Sequence, residues 1–170
     1  MGRMEGWMRK SLIALLVFVP VLAQAQGGRP PLVKRTNPST LSTPTGYTHV
    51  VEVSGPSKTI YISGQIALDR TGNLVGANDM KAQAEQVFKN LEAALAAAGA
   101  KFSDVVKMNT YTTDMSQIQA IRDARGRYFG TATPASTLVQ VVHLARPELM
   151  LEIEVIAVVP ASASVVPASR

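Results

Sequence analysis

Apolar and polar residues alternate with a period of two in several stretches of the chain, and this pattern predicts β-strands with one buried face. The first two stretches, YTHVVEVSG (47–55) and KTIYISGQIAL (58–68), are separated by the turn residues GPS. They are therefore predicted to pair as a β-hairpin. Two more strands are predicted at about 135–144 and 149–159, followed by a flexible tail over residues 161–170.

A period near 3.6 residues appears in two segments and predicts two helices. The first helix has one apolar face that includes Phe88, Leu91, Leu95 and Ala98. Asp79 is its expected N-cap, and Gly99 is the residue expected to end it. Ser116 is the expected N-cap of the second helix, which ends before Pro134. The second apolar face includes Ile118, Ile121 and Tyr128.

A β-branched segment, DVVKMNTYTTD (104–114), is typical of a strand and lies between the two helices. The predicted order is therefore ββαβαββ, which indicates an α+β domain with a mixed sheet and both helices on one face. Val and Ile occupy both faces of the last strand, and this favours a second covering layer. Because both helices already cover the first face, we expect an oligomer to supply that layer.

The first 25 residues have the pattern of a secretory signal peptide. A basic start at 8–10 precedes an apolar run of 11 residues at 12–22, and AQA at 23–25 is a cleavage pattern, with Met8 as an alternative start to Met1. The alternative interpretation is a membrane anchor, but crossing a bilayer takes about 20 apolar residues. We therefore expect cleavage, a periplasmic or secreted mature protein, and no membrane attachment afterwards.

The segment that follows the predicted cleavage site differs in composition from the rest of the chain. Residues 26–45 are rich in Gly, Pro, Ser and Thr. Such a composition indicates a linker or extended arm. The folded domain is accordingly predicted at 46–160.

Composition excludes several function classes. The formal charge is +5, and it falls to +3 without residues 1–25, whose loss removes three basic residues and one acidic residue. The remaining Lys and Arg are scattered, so no nucleic-acid partner is expected. The chain has no cysteine, which excludes disulfides and thiolate chemistry. His49 and His143 fit no metal-ligand spacing, and no nucleotide-binding or hydrolase motif is present, so no metal or cofactor is expected.

Paired carboxylates mark the last predicted strand, LEIEVIAVV. Glu152 and Glu154 share one face of it, whereas the strand in PASTLVQVV (134–142) carries no charged side chain. The pair is either part of a reaction site or two solvated glutamates on a sheet. Four other polar residues are candidates for a site, although each also fits an ordinary role in a turn, at a strand end or on a helix surface: Tyr47, Ser63, Arg122 and Ser136.

Three segments in matching order carry a resemblance to a known family. They are YISGQIALD, AQAEQVFKNLEAALAAAGAKFSDVVKMNTYTTDM and PASTLVQVVHLARPELMLEIEVIAVVP. From about Thr36 to Pro160 the chain resembles the RidA-like proteins, the reactive intermediate deaminases also called the YjgF family. The resemblance implies a chorismate-mutase-like fold, a homotrimer with ligand clefts between subunits, and hydrolysis of reactive enamines and imines to 2-keto acids and ammonia.

The resemblance also implies roles for individual residues. Tyr47 matches a tyrosine at the cleft mouth, and the backbone of Ser63 and Gly64 matches the segment beside the ligand. Glu152 matches the glutamate that holds or polarises the attacking water. Small-molecule imines, enamines or keto acids are the implied partners, together with further copies of the chain itself.

Two positions depart from the family pattern. Active relatives read P-A-R-[ST], and that arginine grips the substrate carboxylate through two charge-assisted hydrogen bonds. This chain has Ser136 there, and Leu138 replaces a common cysteine. Arg122 stands where a helix asparagine is common. A neutral hydroxyl binds a carboxylate less strongly than a guanidinium, so Ser136 is expected to weaken the usual grip.

These departures leave two hypotheses of different classes. The first is a divergent imine or enamine deaminase in which Arg122 supplies the missing charge. The alternative is a non-enzymatic small-molecule-binding or chaperone-like trimer that uses the same cleft, and the replacement of arginine by Ser136 favours it. Ribonuclease activity, which has been described for relatives, is disfavoured by the small charge after cleavage and by export.

Overall fold

Six strands and two α-helices form the described part of the chain, residues 32–161 of a computed structural model. In chain order they are β1 (Leu32–Thr36), β2 (Val50–Ser54), β3 (Ser57–Ile66), α1 (Met80–Ala97), β4 (Val105–Thr112), α2 (Ile118–Phe129), β5 (Ala135–Gln140) and β6 (Leu151–Pro160). The predicted signal peptide at 1–25 and residues 162–170 of the predicted tail lie outside the described residues.

A four-stranded mixed sheet is the centre of the fold, with the strand order β3-β6-β4-β5. β6 runs antiparallel to both β3 and β4, whereas β4 and β5 are parallel, with α2 in the connection between them. α1 packs on β3, β6 and α2, so both helices join one core. The predicted α+β class, with a mixed sheet and two helices, is confirmed.

The predicted hairpin is wrong. β2 pairs with β1, from Leu32 opposite Ser54 to Thr36 opposite Val50, while β3 pairs with β6. Alternation reveals which side of a strand is buried, but it does not identify the neighbouring strand. Gly55, at φ +91°, turns the chain between β2 and β3 without pairing them.

β1 lies inside the segment that was predicted to be a linker or extended arm. The guanidinium of Arg35 ties this strand to the body of the domain, because it donates to the carbonyl of Thr133 at 3.2 Å and to that of Ser103 at 3.2 Å. Within this segment, Leu32–Thr36 is a regular strand.

Of the two predicted N-caps, the one for α1 agrees with the structure and the one for α2 does not. The Asp79 carboxylate accepts hydrogen bonds from the amides of Lys81 and Ala82, so the predicted cap of α1 is confirmed. Before α2, by contrast, Asp114 accepts from the amide of Ser116 at 2.9 Å and begins a 3₁₀ turn at Met115–Gln117. Ser116 is therefore inside the turn and is not the cap.

The two faces of the sheet meet different surroundings. Leu151, Ile153, Val155 and Ala157 of β6 are at most 2% exposed and pack into the core with α1 and α2. Burying a side chain of that kind contributes about 1.5–3 kcal/mol. The alternate residues of β6 point to the opposite side, which we call the open face.

No helix between residues 32 and 161 covers the open face, on which Tyr61 is 78% and Val139 41% exposed. The oligomer expected to cover it stays a prediction. Within the same range, neither helix is long and apolar enough to span a membrane.

Candidate functional site

The residues predicted to form one site lie on opposite faces of the sheet. Residues paired across neighbouring strands point to the same face. Ser136 is paired with the buried Met108, so it lies on the helix side, whereas Glu152 is paired with Tyr111 on the open face. Within one chain Ser136 and Glu152 therefore do not face each other, so the cleft expected between subunits stays a prediction.

A β-bulge in β3 places Glu152 on the backbone of Gly64. Ile62 is opposite Val155 and Gln65 is opposite Ile153, so two residues, Ser63 and Gly64, face one position of β6. Such bulges redirect the chain locally and are frequent beside functional sites.

Glycine at position 64 leaves the space that the Glu152 side chain occupies. A Cβ atom on residue 64 would lie 2.7 Å from Cδ and 2.9 Å from Cγ of Glu152 and would overlap Oε1 of the same side chain. Position 64 must therefore lack a side chain while Glu152 keeps this orientation. We call Ser63, Gly64 and Glu152 the glutamate half-site.

The two glutamates of β6 differ in their contacts. Oε1 of Glu154 accepts a hydrogen bond from the Asn109 amide at 2.8 Å and another from the Tyr111 hydroxyl at 3.0 Å. The bond from Asn109, and then that from Tyr111, hold the pKa of Glu154 below its usual value. The hydrogen bond that the Tyr111 hydroxyl donates to Glu154 also raises the pKa of Tyr111. Glu154 is thus engaged within the sheet.

Glu152 has no such partner among residues 32–161, so its carboxylate is free to accept a hydrogen bond from water or a ligand. It lines a cavity of about 440 Å³ on the open face together with Tyr111, Val141, His143, Leu144, Ala145 and Glu154. His143, which sequence spacing excluded as a metal ligand, therefore lies beside the candidate catalytic residue. No group of three potential metal ligands occurs in the described part of the chain.

Ser63 opens onto a separate cavity of about 230 Å³ on the same face, whose polar lining also includes Lys107, Asn109 and Glu154. Lys107 donates to the hydroxyl of Thr137 at 2.7 Å, so its charge is held at the β4–β5 edge. Ser63 itself is exposed.

The remaining predicted residues, Tyr47, Arg122 and Ser136, line one cavity of about 240 Å³ on the helix side of the sheet. We call it the arginine pocket. Its complete lining is Thr45, Tyr47, Ile118, Arg122, Arg125, Ser136 and Leu138.

A short backbone connection brings Tyr47 to the start of β5. Thr48 bridges Ala135, its amide donates to the Pro134 carbonyl at 2.9 Å, and its hydroxyl donates to the Thr133 carbonyl at 2.8 Å. Tyr47 and Ser136, far apart in sequence, are held side by side as a result.

Arg125 is the functional candidate that the sequence interpretation missed. Its guanidinium packs directly on Gly46 and donates to the Thr45 carbonyl at 3.2 Å. Burial lowers the pKa of Arg125, and the positive charge of Arg122 lowers it further. The signal for it was present in the sequence, because residues three apart on a helix share a face.

Comparison with known proteins agrees with this architecture. The sequence model of the family described as Endoribonuclease L-PSP matches residues 38–159. Protein DfrA from Myxococcus xanthus is 41% identical over 112 residues, which are 66% of this chain and 84% of that protein. The 2-iminobutanoate/2-iminopropanoate deaminase of Mus musculus is 37% identical over 112 residues, covering 66% of this chain and 80% of the enzyme.

Solved structures give the same result. The conserved Rid-family protein YyfB from Yersinia pestis, of unknown function, superposes with a TM-score of 0.68 at 39% identity and covers 74% of this chain and 97% of its own. RidA from an Antarctic Psychrobacter has a TM-score of 0.55 at 37% identity. The match covers 68% of this chain and 90% of that RidA chain. Since the family match spans most of the chain and these folds agree with it, the chain belongs to the RidA-like (YjgF) family, as its sequence motifs predict.

Proposed function

We propose that this protein is a deaminase that hydrolyses reactive 2-imino acids and their enamine tautomers to 2-keto acids and ammonia, with an altered substrate site. The observation that carries the proposal is the position of Glu152, whose carboxylate lies over Gly64 on the open face without a protein partner among residues 32–161. Relatives named 2-iminobutanoate/2-iminopropanoate deaminase support the choice of reaction.

The chemistry requires only water as co-substrate. Glu152 accepts a proton from water as the water oxygen bonds to the carbon of the protonated imine, which produces a neutral carbinolamine. The protonated Glu152 then delivers that proton to the nitrogen, and the C–N bond breaks with loss of ammonia. The hydroxyl proton returns to Glu152 as the carbonyl forms, and its transfer to ammonia restores the carboxylate. A positioned general base of this kind contributes roughly 10²–10⁴-fold to the rate. The bulge backbone at Ser63 and Gly64 is proposed to hold the reacting end of the substrate.

The complete site is proposed to lie between subunits of a homotrimer. The glutamate half-site is on the open face and the arginine pocket is on the helix side, so one chain does not bring them together. A neighbouring copy that packs against the open face would bring its own arginine pocket towards Glu152. The exposure of Tyr61 and Val139 on this face supports such packing.

Export is a further part of the proposal, since the predicted signal peptide addresses the mature protein to the periplasm or the medium. The substrate would then be an imine that is formed or released outside the cytoplasm. Fractionation of cells that produce the full chain, with immunodetection of the cleaved form, tests this location.

The direct test of function is the release of keto acid from 2-iminopropionate, generated in place by an amino-acid oxidase. We expect the mature protein to accelerate release over buffer, and Glu152→Gln to abolish the acceleration. Glu52→Gln, which changes an exposed carboxylate of β2, is the matched control and should leave the rate unchanged.

The absence of acceleration for any imine, combined with ligand-dependent thermal shifts that survive Glu152→Gln, would instead support the non-enzymatic binding or chaperone-like trimer. Ser136, a neutral residue where active relatives carry arginine, favours that second candidate. The two functions therefore give opposite results in the same pair of measurements.

A further inference from the structure

The arginine pocket contains two guanidinium groups and no carboxylate. Its lining of seven residues is otherwise neutral, with Ser136 and Tyr47 as hydroxyl donors beside Arg122 and Arg125. The ion pairs found between residues 32 and 161 are Lys34 with Glu52, Arg127 with Glu85, and Arg146 with Glu148. Neither arginine of the pocket takes part in them.

This arrangement is unfavourable without a ligand. Arg122 and Arg125 are three residues apart on α2, so their like charges share one face of the helix, where such pairs are destabilising. Arg125 is also half-buried, and burying a charge without a counter-charge is costly. The lowered pKa of Arg125, caused by burial and then by Arg122, has the same physical origin.

The third arginine of α2 is paired with a carboxylate, which makes the pair in the pocket distinctive. Arg127 binds Glu85 at 2.8 Å, and the carboxylate of Asp123 accepts a hydrogen bond from Gln119 at 2.7 Å. Neither of them lines the pocket. The positive charge inside the pocket is thus left for an external anion.

The two guanidinium groups differ in how firmly the protein holds them. Arg125 is fixed by its packing on Gly46 and its bond to the Thr45 carbonyl, while Arg122 is exposed and bonds to no other residue in the described range. One guanidinium binds one carboxylate through two parallel hydrogen bonds. A fixed and an adaptable guanidinium together fit two carboxylates of one small molecule.

We propose that the arginine pocket binds a dicarboxylate, so that 2-imino dicarboxylic acids are preferred to monocarboxylic ones as substrates, an inference that rests on the proposed deaminase function. Arg125 holds one carboxylate and Arg122 the other, with Ser136 as an additional hydrogen-bond donor. The volume of about 240 Å³ is below the roughly 300–1,000 Å³ of pockets for drug-sized ligands and fits a small metabolite. The reaction stays balanced: imino dicarboxylate and water give keto dicarboxylate and ammonia.

Binding of stable keto acids tests the substrate class without turnover. Calorimetric titration of the mature oligomer at low salt compares 2-oxoglutarate, pyruvate and inorganic phosphate. We expect 2-oxoglutarate to bind at least tenfold more tightly than pyruvate, and Arg125→Ala or Arg122→Ala to remove most of that difference. Arg125→Lys, which keeps the charge without the planar fork, should recover only part of it.

Lys89→Ala removes one positive charge from the exposed side of α1 and is the matched control for overall charge. Thermal unfolding without ligand confirms that each variant is folded. Equal affinity for 2-oxoglutarate and pyruvate, or tight 2-oxoglutarate binding that survives both arginine substitutions, overturns the proposal. Tighter binding of phosphate than of 2-oxoglutarate overturns the dicarboxylate assignment.

The proposed function has a separate failure mode. Arginine-dependent binding of 2-oxoglutarate without deamination of any imine would support the dicarboxylate pocket and refute the deaminase. Deamination of 2-iminopropionate without preference for dicarboxylates would support the deaminase and refute the pocket.

Discussion

Oε1 of Glu152 occupies the space over Gly64 where any other residue would carry its Cβ atom. The contact exists because Ser63 and Gly64 bulge out of the ladder between β3 and β6. It connects a sequence feature, a glycine within a strand, to the orientation of the candidate catalytic carboxylate. The orientation of Glu152 can therefore be tested from its partner, without altering the glutamate.

Substitution of Gly64 by alanine is expected to displace Glu152 and to lower kcat at least tenfold in the imine assay. The added methyl group overlaps the carboxylate, and overpacking of this kind costs about 1–3 kcal/mol when neighbours cannot move freely. Since Glu152 is at the surface of a cavity, it should move and the fold should survive. Steady-state kinetics and thermal unfolding separate the two effects.

Gly126→Ala is the control for that substitution, because a Cβ there meets no atom within 4 Å and the residue lies inside α2. Alanine favours a helix interior by about 1 kcal/mol over glycine, so this variant should be slightly more stable and fully active. An active Gly64→Ala enzyme would contradict the role assigned to the contact.

Two inactive variants are expected to restore activity when their subunits mix. If the glutamate half-site of one subunit meets the arginine pocket of its neighbour, a mixture of Glu152→Gln and Arg122→Ala chains contains intact sites. Equal and random mixing in a trimer should return about one quarter of wild-type activity. The measurement is the release of keto acid from a 2-imino dicarboxylate after co-expression or subunit exchange.

The control for mixing pairs Arg122→Ala with Arg125→Ala, two changes in the same half-site. No combination of those chains contains an intact pocket, so no recovery is expected. A site formed within one chain predicts no recovery in either mixture, and that result would rule out the arrangement between subunits.

Glu154 is expected to make the stability of the fold depend on acid pH. The hydrogen bonds from Asn109 and Tyr111 lower the pKa of Glu154 in the folded state below its value in the unfolded chain. Their stabilising contribution is therefore present above the ordinary pKa of about 4.3 and is lost as pH falls through the folded pKa. Glu154→Gln should flatten this part of the profile.

Denaturant midpoints at a series of pH values measure the effect of Glu154. The exposed Glu92 of α1 provides the control, since Glu92→Gln should leave the acid profile close to that of wild type. A Glu154→Gln profile that follows wild type would show that the ionisation of Glu154 does not contribute to the acid dependence of folding.

The start of α2 gives a test of stability that does not depend on function. Asp114→Ala removes the side chain that accepts from the amide of Ser116 and the hydroxyl of the same residue, so it should lower Tm by several degrees. Ser116→Ala removes only the hydroxyl and should change Tm little. A larger fall in Tm for Ser116→Ala than for Asp114→Ala would instead identify Ser116 as the cap.

Local pattern was sufficient to predict part of this structure. The cap at Asp79, the buried face of α1 and the alternation in β6 all follow from contacts between near neighbours in sequence. The placement of Glu152 and Glu154 on one face was predicted on the same basis. Such features depend on residue type and spacing, which a single sequence contains.

Contacts between distant segments could not be predicted in the same way. The alternation in β2 did not reveal that its partner is β1, because exposure is independent of the identity of the neighbouring strand. Glu152 and Glu154 were equivalent in sequence until β4 supplied Asn109 and Tyr111 to only one of them. Arg125 became a candidate site residue only because it contacts Gly46 and lines a cavity with Ser136, and these residues approach it only in the folded chain.

The separation of Ser136 and Glu152 on opposite faces has a consequence for regulation by concentration. Under the proposed assembly, an isolated chain holds two incomplete sites, and every working site requires an encounter between copies. Specific activity should then fall when the protein is diluted below the dissociation constant of the assembly. For a protein proposed to be exported, spreading into a larger volume would switch the reaction off without any inhibitor.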